Sequence, residues 1–283
     1  MRYISVRRRR IIGNSFIYIS LIVICVGIII PFLWMISTSF KQPDEIFSSK
    51  PKWLPKEFNF DNFVGIWTRK FFLQCFKNSI IISITTMVAT IIVATLSGYG
   101  ISRFQFKGRL FFSILLIVVQ IFPGMLMIIP LFTIMNKLHL IDTYIVVVIA
   151  HCTFALPFCT WMLKGYFDTI PTSFEEAALL DGCNRLQVLY RIIMPLALPG
   201  IIAVAMFAFV LSWQEYLFAL TLTRSEQART LVLAIAMMQG QHGSVNWGEI
   251  MAGSIIACIP GLVIFLLLEK YLIQGFTSGG VKG

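Results

Sequence analysis

Residues 175–200 read EEAALLDGCNRLQVLYRIIMPLALPG, a short acidic segment between two long apolar stretches. Pro171, Thr172 and Ser173 stop the chain before it, and Ser173 followed three residues later by Glu176 reads as a capping box for a helix over residues 174–181. Gly182 ends that helix in an elbow. Asn184 caps a second helix, which runs through Val188, Leu189, Ile192 and Ile193 until Pro195 breaks it. The first helix offers the carboxylates of Glu175, Glu176 and Asp181, and Ala177 and Ala178 make a surface small enough for close approach. Helices that lie on a bilayer set Lys and Arg against its anionic inner leaflet, so an acidic one is repelled. A protein partner with a basic cleft fits the charge better.

What flanks this segment is built for lipid. Of 283 residues 58% are hydrophobic and 13% charged, and the mean hydropathy of +0.84 lies outside the range of ordinary soluble domains. Six apolar stretches, at residues 11–36, 78–101, 110–135, 144–163, 199–222 and 250–271, are each long enough to cross a hydrocarbon core of about 30 Å as a helix. Without water, each segment must satisfy its own backbone groups. The expected class is therefore an all-α membrane protein with six transmembrane helices, the acidic helix lying between helices 4 and 5.

Charge sets the orientation. With the N-terminus in the cytoplasm, that side carries 13 of the 23 Lys and Arg and a net charge of +8, against +2 outside. Both termini are then cytoplasmic, with lipid as the surrounding partner, and the basic balance requires no nucleic acid. The run Arg7–Arg10 before the first apolar stretch also suits a signal peptide, but the stretch is long and no small-residue cleavage site follows, which favours an uncleaved anchor. The six cysteines form no C-x-x-C pair and read as small apolar residues, with no metal expected.

Within the second stretch, Thr86, Thr90, Ala94 and Gly98 form an i, i+4 ladder that lets another helix come close. Pro123, Gly124, Pro130, Pro157, Pro260 and Gly261 predict kinks. Away from the ends of the spans, His151 and Glu215 are the acidic, basic or imidazole side chains inside them. His151 reads as a core imidazole bonded to a neighbouring helix. Trp213, Gln214, Glu215 and Tyr216 are either part of a solute path, with Gln120 a further candidate, or an interfacial aromatic belt with one wetted carboxylate. Between residues 224 and 248, about eight apolar residues, too few to span, precede a polar tip, which predicts a re-entrant or interfacial helix or else a passive connector.

Glu176, Ala177 and Ala178, then Gly182, Ile192 and Pro195, are spaced as in the EAA loop of permease subunits in binding-protein-dependent ABC importers; Met194 stands where that pattern has Leu. The similarity continues through NSIIISITT, GYGISRFQFKGR, IIPLFTIMNKLHLIDTY, SWQEYLFAL, NWGEIMAGSIIACIP and the tail YLIQGFTSGGVKG. Together these blocks resemble the carbohydrate-uptake branch of that family.

The resemblance implies a second, homologous permease subunit, two ATP-binding subunits that carry ATP and Mg, and an extracellular or periplasmic solute-binding protein, all at a bacterial cytoplasmic membrane. It assigns coupling to the ATPase to Glu175, Glu176, Ala177, Ala178, Asp181, Gly182 and Pro195. It assigns a contact between the ATPase subunits to Ser278, Gly279, Gly280 and Lys282, and contact with the binding protein to Gln239, Gly240, Gln241, His242 and Gly243. The chain has no G-x-x-x-x-G-K-[ST] loop of its own, so it is read as a non-catalytic subunit without a cofactor. The expected organisation is a basic N-terminus (1–10), a six-helix permease domain (11–273, coupling loop 164–198) and a tail (274–283). An intramembrane enzyme or a stand-alone channel are the alternatives; the first needs more titratable groups to converge, and the second needs no acidic knob.

Overall fold

The computed structural model describes residues 2–50, 52–239 and 245–279, without the side chains of 2–13 and 271–279. Among these residues all regular structure is helical: α1 (Arg2–Ser39), α2 (Pro43–Ile46), α3 (Asp61–Thr68), α4 (Lys70–Arg103), α5 (Arg109–Ile121), α6 (Ile128–Lys137), α7 (Tyr144–Asp168), α8 (Ser173–Leu180), α9 (Arg185–Val188), α10 (Met194–Leu196), α11 (Leu198–Trp213), α12 (Leu217–Leu222), α13 (Leu231–Met237) and α14 (Trp247–Gly279). A 3-10 turn, Gly124–Met127, joins α5 to α6, and a π turn, Leu189–Ile193, joins α9 to α10. The chain divides into two compact units, residues 1–69 with 238–256 and residues 70–237 with 257–283.

Among the described residues four helices are long and apolar enough to cross a membrane, and the number rises to as many as six when each of two bent pairs is counted as one span. The third and fifth expected spans are not continuous. After α5 the chain turns by 97° into Gly124–Lys137, because Pro123 drives the residue before it out of the helical region and Phe122 sits at ψ 126°. The fifth is interrupted at residues 214–216, between α11 and α12. Pro157 and Pro260, in contrast, lie inside unbroken α7 and α14. At the other end α14 runs on to Gly279, six residues into the expected tail (274–283), since a long helix adds each further residue without a new nucleation cost.

In the first unit, the Phe40 ring packs among Phe58, Phe60 and Phe63. Buried Asn62 donates to the Ser39 and Lys41 carbonyls at 2.9 and 3.0 Å, which ties α3 to the end of α1. Arg69 pairs with Glu249 at 2.5 Å.

The second unit is built on α4, α7 and α11, which pack on one another. The ladder of small residues makes that packing close: Thr86, Thr90, Ala94 and Gly98 are all buried. A Cβ on Gly98 would stand 3.1 Å from both the Thr160 carbonyl oxygen and the Lys164 amide nitrogen of α7, backbone atoms that have no room to yield. One cluster, including Ala94, Leu163, Phe167, Ile193 and Val204, fills the end near α8–α10. A second, including Ile82, Met135, Val147, Phe218 and Leu222, fills the end near α12.

At that second end the chain after α12 is pinned. Asp142, itself at φ 68°, accepts from the Arg224 and Ser225 amides at 2.8 and 2.9 Å. Burial works to raise its pKa, but these amide bonds hold the carboxyl below the usual range. Asn78 donates to the Glu226 and Arg229 carbonyls, Ser79 accepts from Leu231, and α13 buries Leu231, Leu233 and Ala234.

Gly98→Val is expected to lower the thermal midpoint of the detergent-solubilised chain, by a destabilisation of about 1–3 kcal/mol. Gly100→Ala, whose Cβ meets open space, should leave the midpoint unchanged or higher. Equal midpoints for the two variants would show that the α4–α7 contact does not limit stability.

Candidate functional site

The acidic segment forms helix, elbow, helix, and its two ends are made differently from one another. The chain enters the helical region one residue early: Thr172 is already helical at φ −66° and ψ −21°, and its carbonyl accepts from Glu175 and Glu176 at 2.9 and 3.0 Å. Ser173 is therefore the first residue of α8, and the expected capping box does not form. The C-terminal end follows the sequence closely. Gly182, at φ +86°, donates to Leu179 at 3.1 Å, and Cys183 donates to Ala178 at 3.0 Å, which is the Schellman pattern of a left-handed glycine stop. Asn184 then caps α9 in a true capping box with Gln187.

The two glutamates have opposite fates. Glu175, expected to offer its carboxylate outward, is buried. It pairs with the Arg103 guanidinium at the end of α4 and accepts from the Tyr99 hydroxyl at 2.9 Å. Arg103 also donates to the Ile170 carbonyl at 2.8 Å, and beside it Ser102 donates to Asp168 at 2.6 Å. The Glu175 carboxylate thus has a charged and a neutral donor, and its position in the first turn of α8 suits the helix dipole. Ala178 is likewise corrected: it faces inward and joins the core with Val188, Leu189 and Ile193. Glu176, Ala177 and Asp181 are exposed.

One exposed residue escaped the sequence reading. Leu180 is 89% exposed at the end of α8, four residues after Glu176 and hence on the same face. The available signal was an apolar residue at i+4 from the motif glutamate.

Pro195 does not break the helix where expected. Residues 185–196 stay helical through the π turn, and the 82° bend into α11 falls at Ala197. The wider i→i+5 turn ahead of the proline lets the chain accept a missing amide. Ala197 then donates to Ile193 at 2.8 Å, and Pro199, second residue of α11, has its ring at a position that needs no donor.

His151 and Glu215, 64 positions apart, are brought together. His151 is fully buried, with Nδ1 2.7 Å from the Ser212 hydroxyl and Nε2 3.2 Å from Glu215. Glu215 accepts from the Phe218 and Ala219 amides at 2.8 and 3.0 Å, so it closes the N-terminus of α12 at the break in the fifth span.

Of the other candidate solute-path residues, Trp213 is not available to line a path. It is buried, stacks on Phe209 and donates to the Ala257 carbonyl at 3.0 Å. Gln214 is exposed and Tyr216 half-buried at the break. Gln120 borders a separate cavity of about 220 Å3 with Leu116, Phe158 and Trp161.

Gln239 is exposed beyond α13, and Ser278 and Gly279 end α14. Gly240, Gln241, His242, Gly243, Gly280 and Lys282 lie outside the described residues.

The family described as binding-protein-dependent transport system inner membrane component matches residues 86–278. The inner membrane ABC transporter permease protein YcjP of Escherichia coli (strain K12) is 35% identical over 277 residues, covering 97% of this chain and 99% of its own. The trehalose/maltose transport system permease protein MalG of Thermococcus litoralis is 34% identical over 278 residues, covering 98% and 99%. A bacterial ABC transporter involved in import of the acidic polysaccharide alginate shares the fold at TM-score 0.82, with 22% identity, 92% of this chain and 96% of that one being covered. With the EAA spacing realised as a helix, a glycine stop and a second helix, this chain belongs to the binding-protein-dependent transport system inner membrane component family, the non-catalytic permease subunits of ABC importers.

Proposed function

We propose that this permease imports a saccharide, paired with a second permease subunit, served by a solute-binding protein and driven by two ATPase subunits that hold ATP and Mg. The observation that carries the coupling is the division of labour on α8: Glu175 is locked inward by Arg103 while Glu176, Ala177 and Leu180 stand outward. A knob exposed on one face and ionically fixed on the other transmits force. Push on α8 travels into α4 through the buried pair and into α11 through α9, α10 and the bend at Ala197. The saccharide is supported by relatives named for trehalose and maltose transport. The excess of Lys and Arg on the side of the EAA loop supports a cytoplasmic knob and cytoplasmic termini. In this arrangement the tail from Ser278 to Lys282 contacts the ATPase pair, and the loop tip from Gln239 to Gly243 meets the binding protein.

Glu176→Lys should abolish uptake of the solute in cells while leaving insertion and the thermal midpoint of the purified chain at parental values. Normal uptake by this variant would sink the coupling role.

Arg103→Met should behave in the opposite manner. By stranding Glu175 it is expected to cost about 3–5 kcal/mol, read as a clear drop in the midpoint, and Arg103→Met combined with Glu175→Leu should recover a large part of it. If the single and double variants unfold together, the pair is not what holds α8.

Gly182→Ala should cost about 1–2 kcal/mol from the left-handed backbone alone, because its Cβ would meet open space, and Gly182→Asn should cost less. Unchanged midpoints for both would remove the glycine stop from the argument.

A further inference from the structure

In the first unit, a cavity of about 290 Å3 opens between Trp34 and Thr38 of α1, Lys41, Glu45 of α2, and Trp247 and Met251 of α14. None of its lining residues belongs to the coupling loop or to the α11–α12 break.

Its walls are aromatic on two sides. Trp34 is braced edge-on by Trp53, with ring centres 5.1 Å apart and planes at 83°. Its polar equipment includes both a cation and an anion. Lys41 is 3% exposed, yet its ammonium uses one donor, on the Lys52 carbonyl at 2.6 Å, and stands 4.2 Å from the Trp34 ring centre. An ammonium has two more N–H groups to give. Glu45 supplies an acceptor close by.

The third observation is an unmet need. Thr38 is 4% exposed, and its hydroxyl has no hydrogen-bond partner among the described residues. A buried hydroxyl left alone forfeits its hydration with nothing in return, so it calls for a guest with a polar group.

These features select the guest. A purely apolar one would leave the Thr38 hydroxyl and the two spare N–H groups of Lys41 without partners. A phosphate or carboxylate is attracted by Lys41 but repelled by Glu45. A neutral sugar ring meets both needs without opposing Glu45: its C–H faces lie against indole, and its hydroxyls both donate and accept. We propose that this cavity is a saccharide subsite on the chain itself, which takes one ring of the transported sugar where α1 and α14 meet. The inference rests on the saccharide reading above.

The test titrates the detergent-solubilised full chain with maltose, trehalose and N,N′-diacetylchitobiose, following tryptophan fluorescence, while uptake of the same sugars is measured in cells carrying the transporter. A saturable change is expected with at least one sugar, weakened about tenfold or more by Thr38→Val and lost in Trp247→Ala. Because Thr38→Val removes a hydroxyl that had no partner, its thermal midpoint should equal or exceed the parental one, which keeps the binding result readable if Trp247→Ala folds poorly. Binding unaffected by Thr38→Val, binding of none of the sugars, or a change produced only by phosphatidylglycerol vesicles overturns the subsite. Absence of uptake for all three sugars alongside binding sensitive to Thr38→Val supports the subsite and counts instead against saccharide import.

Discussion

A carboxylate and a guanidinium withdrawn from water hold the acidic knob to its bundle. Burying Glu175 and Arg103 separately would be costly, and together they become tolerable only because the Tyr99 hydroxyl and the Ile170 carbonyl take up further hydrogen-bonding capacity. The geometry that results is specific. A charged pair with several fixed partners has few alternative arrangements, whereas an apolar contact of the same area would let α8 slide over the end of α4. The apolar cluster formed by Ala178, Val188, Leu189 and Ile193 then closes beneath α8 and α9, so that the loop is an extension of the core and not an appendage to it.

How much of this could be read from the chain depended on the range of the interaction. Gly182 and the Asn184 cap were legible because a left-handed stop and a capping side chain act within three residues. The ladder from Thr86 to Gly98 was legible because small residues at helical spacing bear on any neighbour that packs there. Which glutamate of the pair at 175 and 176 turns inward was not legible: it depends on Arg103, 72 positions earlier. The same holds for His151 and Glu215, which the sequence treats as two separate polar side chains of the spans and the fold brings within 3.2 Å of one another. The lost box at Ser173 is a local failure of another kind, in which backbone bonds to Thr172 outcompeted a side-chain one.

Proline had three outcomes in one chain, and position explains the difference. At Pro123 the preceding residue was free to leave the helix, and the span folds back sharply. At Pro157 and Pro260 the surrounding helix continues through. At Pro195 the strain is taken up beforehand, by the π turn, and the bend is displaced to Ala197, a small buried residue that allows close passage.

That π turn has a consequence for the spacing of the motif. A helix turns by about 100° per residue, so one residue more or fewer between Gly182 and Pro195 would swing α8 around the axis by more than a quarter of a circle. The wide turn at Leu189–Ile193 holds an additional residue without such a swing. The number of residues between the glycine and the proline therefore acts as a phase setting, fixing the compass bearing at which Glu176 and Leu180 face outward. A deletion along α9 would leave the knob intact and aimed in the wrong direction.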